Sequence, residues 1–468
     1  MIIAPAGHGK THTITECLSH LSNSSRCLIL THTHAGVASL REKMKKQGIK
    51  PSKYTLDTIS SFALKYTNAF HLNKADFPEA ENNHEYFDFA IETAKNLFLS
   101  RPLQEVLKAT FSHLIVDEYQ DCSKEQHRLI QNLSLVLPTH ILGDPLQGIF
   151  GFNNGLVDME SQDEMGLFFL NKQELTIPWR WNNAGAYTLG STLIDIRKKL
   201  LNKQSINFNN YSHTIDLIVE PEANYLKRQS GYKNIIWEEI NNLDTKSLLL
   251  IHPISTNIQP RIRFIQQFSN RLRLIESIDD KNFYSYAKVF DEKTDNDLIL
   301  TILSFAHDLF NKTIIDSWFR PDGTLKKKQS FDDKKIAASI QCTIDNILRE
   351  KSYQEIASLI YQIFKLPGNK CYRVDFYNDM LKALKGADIE GRSAYEAIKN
   401  NRDILRRQGR RIIGKCIGTT LLTKGLEFDT VIVLNAHKFD DPKHLYVALT
   451  RACRKLIVIT EEPILKFT

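Results

Sequence analysis

The glycine-rich segment at residues 4–11, Ala-Pro-Ala-Gly-His-Gly-Lys-Thr, has the residue types and spacing of a phosphate-binding loop, or P-loop. Gly7 and Gly9 allow the chain to turn so that successive backbone N–H groups face a phosphate. Lys10 is placed to reach the β- and γ-phosphates of a nucleotide, and Thr11 to bind Mg²⁺ through its hydroxyl group. For this segment alone, the alternative is a ligand-free turn that happens to be rich in glycine.

Two later segments place polar residues directly after short apolar runs. Asp117 and Glu118 follow the run at 114–116, and Gly-Asp-Pro-Leu-Gln at 143–147 follows another. Ligands of open α/β sheets bind at the carboxyl ends of parallel strands, so we expect both segments beside the glycine-rich loop. Asp117 supplies a second contact to Mg²⁺, and Glu118 supplies a carboxylate next to the attacking water. Together the three segments predict hydrolysis of a nucleoside triphosphate.

The composition is that of a globular protein with roughly two to four domains. The chain has 468 residues, 42% hydrophobic and 25% charged, and a net charge of +7, which permits a polyanionic partner. Its seven cysteines form no Cys-x-x-Cys or Cys/His pattern, so no zinc or iron–sulfur site is expected, and free thiols fit the reducing cytoplasm. The sequence predicts neither a signal peptide nor a membrane span.

Apolar runs alternate with helical patterns, which is typical of an α/β fold with buried parallel strands. Strands are predicted at 2–3, 27–30, 114–116, 141–142, 247–251, 415–419, 430–434 and 456–460. Helices are predicted at 11–21, 36–47 and 258–270. The stretches 63–112, with a polar middle at 78–84, and 281–400 read as helical insertions. The pattern predicts two nucleotide-binding lobes, each with a helical insertion.

Three later motifs determine the class of protein that the chain resembles. They are Pro-Trp-Arg-Trp at 178–181, Lys-Gly-Leu-Glu-Phe at 424–428 and Tyr-Val-Ala-Leu-Thr-Arg-Ala at 446–452. With the P-loop, Asp-Glu-Tyr-Gln-Asp at 117–121 and Gly-Asp-Pro-Leu-Gln-Gly-Ile-Phe-Gly-Phe at 143–152, the ordered set resembles superfamily 1 helicases of the UvrD/Rep type. The motifs lie at both ends of the chain, whereas residues 190–410 match only by their position.

The resemblance implies two RecA-like P-loop lobes with parallel sheets and reduced helical insertions. The first lobe would comprise residues 1–62 and 113–185, with an insertion at 63–112. The second would comprise residues 186–280 and 401–468, with an insertion at 281–400. Shortened insertions put processive unwinding by the isolated chain in doubt.

The resemblance also implies a role for each residue at a motif position. Lys10, with Gly7, Gly9 and Thr11, would bind ATP, and Thr11 and Asp117 would bind Mg²⁺. Glu118 would be the general base, and Gln147, Arg180 and Arg451 would act on the γ-phosphate. Trp179 would stack on the base, and Glu427 would contact the ribose. The candidate nucleic-acid contacts are Thr33, Thr58, Phe150 and Phe152. Simpler roles remain open, namely a surface charge for Arg451 and core packing for Trp179 and the two phenylalanines. For Trp181, core packing is the expected role.

The sequence departs from the family at several positions. Only three residues precede Ala4, where the family has a glutamine that reads adenine, so we expect hydrolysis of other NTPs or dNTPs besides ATP. Residues 55–59, Thr-Leu-Asp-Thr-Ile, replace the usual Thr-x-His-Ser-Phe; Leu421 replaces a histidine and Asn153 an arginine. These changes suggest weak or specialised binding of DNA. Arg402, Arg406 and Arg410 share one face of a predicted helix, either to track phosphates or as a solvated surface.

Two functions remain in competition at this point. The leading one is an ATP-dependent translocase or helicase that moves 3′→5′ on single-stranded DNA. The alternative is an NTPase subunit that senses DNA ends and activates a partner nuclease of the OLD family, similar to the helicase component of Gabija-type anti-phage systems. A small-molecule P-loop kinase would leave the motifs at 424–428 and 446–452 unexplained.

Overall fold

A computed structural model of the chain describes residues 1–71, 73, 83–151, 155–220, 231–253, 256–268, 271–277, 281–408, 412 and 414–467. The chain folds into two compact units. The first unit comprises Met1–Asn234, Arg407–Gly409 and Thr423–Thr468, and the second comprises Ile235–Arg406 and Arg410–Leu422. The structure confirms the predicted α/β class, with two six-stranded sheets of parallel strands and flanking helices. The predicted domain ranges stay predictions.

The first sheet contains the four strands predicted for this region and two more at its edges. The strands are β1 (Ile2–Ile3), β2 (Cys27–Thr31), β3 (Tyr54–Thr58), β4 (His113–Val116), β5 (Thr139–Gly143) and β6 (Gln173–Glu174). Their order is β3-β2-β4-β5-β1-β6, with every pair parallel. Because β4, β5 and β1 are neighbours, the residues that follow these three strands meet at one edge of the sheet.

Ten helices precede residue 202 in the described part of the chain. They are α1 (Lys10–His20), α2 (His34–Lys46), α3 (Ile59–Phe70), α4 (Asn83–Leu97), α5 (Arg101–Thr110), α6 (Lys124–Ser134), α7 (Gln162–Met165), α8 (Leu167–Leu170), α9 (Trp179–Asn183) and α10 (Tyr187–Leu201). Helices α3 to α5 lie between β3 and β4 in the chain, so the stretch at 63–112 is helical where it is described. Most of its polar middle at 78–84 lies outside the described residues.

The remaining strands follow α10 in the chain. They are β7 (Ile206–Asn207), β8 (Asp216–Val219), β9 (Leu248–Ile251), β10 (Arg273–Leu274), β11 (Lys415–Gly418), β12 (Phe428–Val433), β13 (Ala452–Thr460) and β14 (Ile464–Leu465). In the first unit, β12, β13 and β8 pair in parallel, and β14 pairs antiparallel with β7. In the second unit, β11 pairs in parallel with β10 and with β9.

The second unit is dominated by helices that share one apolar core. The remaining helices of the chain are α11 (Gly231–Asn241), α12 (Gln259–Gln267), α13 (Lys281–Glu292), α14 (Asp295–Leu309), α15 (Lys312–Trp318), α16 (Phe331–Arg349), α17 (Tyr353–Phe364), α18 (Val374–Glu390), α19 (Ala394–Gln408), α20 (Thr420–Thr423) and α21 (Pro442–Leu449). Residues of α13 to α19, such as Phe305, Ile360 and Leu384, form a single buried cluster. Among the described residues, no helix is both long and apolar enough to cross a membrane.

The prediction that Arg402 lies on an exposed basic face of its helix is wrong. Its side chain is 1% exposed, and the guanidinium lies 3.9 Å from the centroid of the Phe283 ring and 3.5 Å from Asp379. An Arg stem and its planar cation pack well on an aromatic face, so a helix with this spacing can bury an arginine that the sequence suggests is solvated. The side chain of Arg406 and the whole of Arg410 lie outside the described residues.

Candidate active site

The segment between β1 and α1 has the backbone geometry of an anion-binding loop. Gly7 and Gly9 have φ angles of 74° and 87°, in the left-handed region that residues with a side chain rarely adopt. Helix α1 begins at Lys10. Among the described residues, no protein acceptor takes the N–H groups of Gly9, Lys10 and Thr11. Free N–H groups at the start of a helix bind phosphate, so this loop fits the predicted ligand.

The Pro-Trp-Arg-Trp segment lies directly against the loop. The N–H of Arg180 donates to the carbonyl oxygen of Gly7 at 3.0 Å. A Cβ atom built on Gly7 would lie 2.9 Å from the Cβ of Arg180, and one on Gly9 would lie 2.8 Å from Cδ1 of Trp179. The loop therefore needs glycine at both positions for space as well as for backbone angle.

The two tryptophans of this segment have different environments. Trp181 is buried, and its Nε1 donates to the carbonyl oxygen of Ala452 at 2.9 Å, which confirms the expected packing role. Trp179 is 45% exposed and lies over Gly9. Its exposed ring beside the P-loop agrees with the predicted stacking on a nucleotide base, which stays a prediction.

Lys10 meets the two carboxylates that follow β4. Its Nζ lies 3.3 Å from Oδ1 of Asp117 and is also ion-paired with Glu118. Burial by itself lowers the pKa of Lys10, but the two carboxylates outweigh it and hold the pKa above its ordinary value. Burial raises the pKa of Asp117. For Glu118, burial also favours the neutral form, but the charges of Lys10 and Lys424 lower the pKa to about 2. Glu118 is therefore ionised at neutral pH, as a general base requires.

Glu118 is held in place by its backbone and by one amide side chain. Its φ angle of 56° is in the left-handed region, which is unusual for a residue with a side chain and is typical of strained functional positions. Nε2 of Gln120 donates to Glu118 Oε2 at 2.5 Å, and Oε1 of Gln120 accepts from the N–H of Asp144 at 3.0 Å. A Cβ on Gly143 would lie 2.7 Å from Gln120 Oε1, so the glycine makes room for this link between the ends of β4 and β5.

Gln147 lies in the turn Pro145–Gln147 that follows β5. Its Nε2 donates to Oδ2 of Asp144 at 3.0 Å, and its main-chain oxygen accepts from Nζ of Lys424. Asp144 is in turn ion-paired with the buried Arg197, at 3.1 Å. The side chain and the main chain of Gln147 are thus both anchored at the edge of the sheet where the P-loop lies.

The two arginines of the later motifs lie in the same unit as the P-loop. Arg180 donates to the carbonyl oxygen of Thr450 at 2.5 Å and to Glu427 at 2.8 Å. Arg451 is 1% exposed, so a surface charge is excluded for it. Burial and the charge of Arg180 lower the pKa of Arg451 to about 10.

Arg451 is held by neutral acceptors. It donates to the carbonyl oxygens of Val447 and Leu426, at 2.9 and 3.1 Å, and to the hydroxyl of Thr450 at 3.1 Å. The action of Arg451 on the γ-phosphate stays a prediction.

The residues predicted to bind Mg²⁺ fit that ion. Oδ1 of Asp117 is buried and has no hydrogen-bond partner among the described residues, apart from the ion-pair contact with Lys10. The hydroxyl of Thr11, at the start of α1, accepts from Lys43 at 3.4 Å. A carboxylate and a hydroxyl oxygen are ligands that Mg²⁺ accepts together with phosphate oxygens.

The candidate nucleic-acid contacts have structural neighbours that the sequence did not predict. Thr33 and Thr58 are the N-caps of α2 and α3, where their hydroxyls accept from the N–H groups of Gly36 and Ser61, each at 3.0 Å. The Phe150 ring stacks on His32 with centroids 6.0 Å apart, and Nζ of Lys424 lies 4.7 Å from its centroid. Phe152 lies outside the described residues. Contact with a strand stays a prediction for all four.

Several residues of the site were within recognised motifs but had no predicted role. Gln120 links Glu118 to Asp144, and Lys424 binds Asp121 through both carboxylate oxygens, at 2.6 and 2.5 Å. The hydroxyl of Tyr446 accepts from the N–H of Ala6 at 3.2 Å. Motif membership was the only signal in the sequence for these residues, because polar side chains that pack on one another leave no periodic pattern.

Comparison with known proteins gives matches to parts of the chain. A family model described as an AAA domain matches residues 1–153. An ATP-dependent helicase/nuclease subunit of Lactococcus lactis subsp. cremoris (strain SK11) is 30% identical over 148 residues, which are 31% of this chain and 12% of the relative. Exonuclease/helicase subunit RexA of Lactococcus lactis subsp. cremoris (strain MG1363) is 31% identical over 94 residues, 20% of this chain and 8% of the relative.

A third similar protein is viral. Replicase polyprotein 1a of Lettuce infectious yellows virus (isolate United States/92) is 41% identical over 70 residues, 14% of this chain and 4% of the relative. The chain thus spans no more than 12% of the length of these relatives. The matches support the resemblance to superfamily 1 helicases, and the resemblance to the Gabija helicase component stays a prediction.

Proposed function

We propose that the chain is an NTP hydrolase of the superfamily 1 helicase type that acts on DNA. The observation that carries this proposal is the meeting of Lys10, Asp117 and Glu118 beside a loop whose glycines present free N–H groups. The names of the bacterial relatives, which are helicase/nuclease subunits, support DNA as the partner. We further propose ATP as the main substrate, with other NTPs or dNTPs also accepted, and Mg²⁺ as the cofactor.

Residues of this chain can carry out each step of the hydrolysis. The loop N–H groups and Lys10 bind the phosphates, so that Lys10 exchanges its carboxylate partners for phosphate oxygens. Glu118 takes a proton from the water whose oxygen attacks the γ-phosphorus, and the bond between that phosphorus and the β–γ bridging oxygen breaks. Arg180, Arg451 and Gln147 stabilise the charge of the transferred group. Thr11 and Asp117 would hold Mg²⁺, which would neutralise charge at the phosphates.

NTP hydrolysis by the purified chain, with and without single-stranded, blunt and tailed DNA, tests the proposal. We expect turnover that single-stranded DNA accelerates, and no turnover in Lys10→Ala. Lys45→Met, a change on the exposed face of α2, is the matched control and keeps full activity. A wild-type chain that binds Mg²⁺-ATP without hydrolysing it would contradict the proposal.

For the action on DNA we consider one leading function, or first form, and one alternative, or second form. We propose translocation in the 3′→5′ direction with strand displacement, by the resemblance to UvrD/Rep helicases. The alternative is a DNA-end sensor with an OLD-family nuclease partner in Gabija-type defence. Displacement on a 3′-tailed duplex supports the first form, and hydrolysis stimulated by blunt ends without displacement supports the second. All seven cysteines are free thiols, which supports the cytoplasm as the compartment.

A further inference from the structure

Lys424 is a buried lysine that contacts three different parts of the site. Its side chain is 8% exposed. Nζ donates to both carboxylate oxygens of Asp121, at 2.6 and 2.5 Å, and to the main-chain oxygen of Gln147. It also lies 4.7 Å from the centroid of the Phe150 ring. An ammonium group has three N–H donors, so Lys424 has all of them engaged and a π face beside it.

Asp121 is connected to Glu118 through Gln120, and Gln147 is itself predicted to act on the γ-phosphate. Nε2 of Gln120 lies 3.4 Å from Oδ2 of Asp121 and 2.5 Å from Oε2 of Glu118. The side chains of Asp121 and Gln120 are almost fully buried, so water does not compete for these hydrogen bonds. On the other side, the Gln147 main chain that Lys424 binds carries the amide predicted to sense the γ-phosphate.

The burial of Lys424 has a cost that its contacts must offset. Burial lowers the pKa of Lys424 below its ordinary value, and the opposing charges of Asp121 and Glu118 offset this only in part. A buried ion pair of this kind adds little net stability compared with apolar residues, because desolvation cancels most of the attraction. We therefore expect the contacts of Lys424 to matter for the geometry of the site rather than for stability, since they fix the segments that contain Asp121 and Gln147 relative to each other.

We propose that Lys424 is a positioning residue for NTP hydrolysis, which sets Glu118 through Asp121 and Gln120 and sets Gln147 through its main chain. This inference rests on the proposed function. Lys424 itself is not proposed to touch the nucleotide or the attacking water; it acts only through the groups that do. A displacement of a catalytic group by about 1 Å can lower turnover by roughly 100-fold.

The test separates turnover from binding. We would measure kcat and KM for ATP hydrolysis, and the Kd of a non-hydrolysable ATP analogue, for wild type, Lys424→Met, Lys424→Arg and the control Lys45→Met. We expect Lys424→Met to lose roughly 10- to 100-fold in kcat, with KM and Kd within about threefold of wild type. Lys424→Arg keeps a cation and donors for Asp121, and we expect it to recover most of the lost kcat.

A second variant covers the case in which Lys424→Met does not fold, since it leaves Asp121 buried without a cation. Lys424→Met combined with Asp121→Asn removes both charges, and we expect it to fold but to keep the low kcat. Wild-type kcat in either Met variant overturns the proposal, as does an equal loss of kcat and of analogue binding. A wild-type chain without hydrolysis contradicts the proposed function itself, and removes the reaction that Lys424 is proposed to serve.

Discussion

Replacement of Gly7 by alanine tests whether the P-loop is as tightly enclosed as the structure shows. Alanine at a φ of 74° costs about 1–2 kcal/mol, because the left-handed region is unfavourable for a residue with a Cβ. The new Cβ would also lie 2.9 Å from the Cβ of Arg180 and 3.0 Å from the ring of the buried Trp181. Overpacking of this kind costs roughly 1–3 kcal/mol, so the sum is about 2–5 kcal/mol.

Gly48→Ala is a matched control for this change. Gly48 has a φ of 70°, and a Cβ there would meet no atom within 4 Å. The control therefore has the backbone cost of about 1–2 kcal/mol without the steric one. In urea unfolding, we expect Gly7→Ala to be less stable than Gly48→Ala by roughly 1–3 kcal/mol. We also expect weaker binding of a fluorescent ATP analogue in Gly7→Ala alone. Equal stability and equal binding in the two variants would refute this description of the loop.

Three further predictions concern charged residues of the site. Glu118→Gln should abolish turnover while ATP still binds, and retained hydrolysis in a steady-state assay would exclude Glu118 as the base. Arg451→Ala should lower kcat far more than ATP affinity, because the arginine acts on charge that develops in the transition state; equal losses of kcat and affinity would contradict this. The pKa of Glu118 falls from 4.5 to about 2 on folding, so its ionised form stabilises the chain above pH 4.5, and this contribution is lost as the pH falls toward 2. Urea unfolding across this pH range should show this loss of stability in wild type and not in Glu118→Gln.

The central strands of the fold could be predicted from sequence, whereas the edge strands could not. β2, β4 and β5 are buried on both faces, so they appear in the sequence as continuous apolar runs. The strands missed in the first sheet, β3 and β6, lie at its two edges and contain polar residues; β6 is only Gln173–Glu174. An edge strand is covered by the rest of the protein on fewer sides, so it can contain fewer apolar residues. Its sequence then has no apolar run to distinguish it from a loop.

The candidate site was predictable where chemistry requires a residue type at a fixed place in the chain. Gly7, Gly9 and Lys10 follow β1, and Asp117 and Glu118 follow β4. They lie together because both strands end at the same edge of one sheet, with only β5 between them. The hydrogen bonds between Lys424 and Asp121 could not be predicted, since they join parts of the chain that are distant in sequence. For Arg402 the sequence predicted an exposed side chain that is in fact buried, because a basic residue at helical spacing can pack on an aromatic ring as readily as face water.

ATP hydrolysis by wild type, Lys10→Ala and Lys45→Met, each measured with and without single-stranded DNA, is the decisive test of the proposed function. We expect turnover in wild type and in Lys45→Met that DNA accelerates, and none in Lys10→Ala under either condition. Wild-type hydrolysis that persists in Lys10→Ala would contradict the proposed function, since the phosphate-binding lysine would then have no part in the reaction.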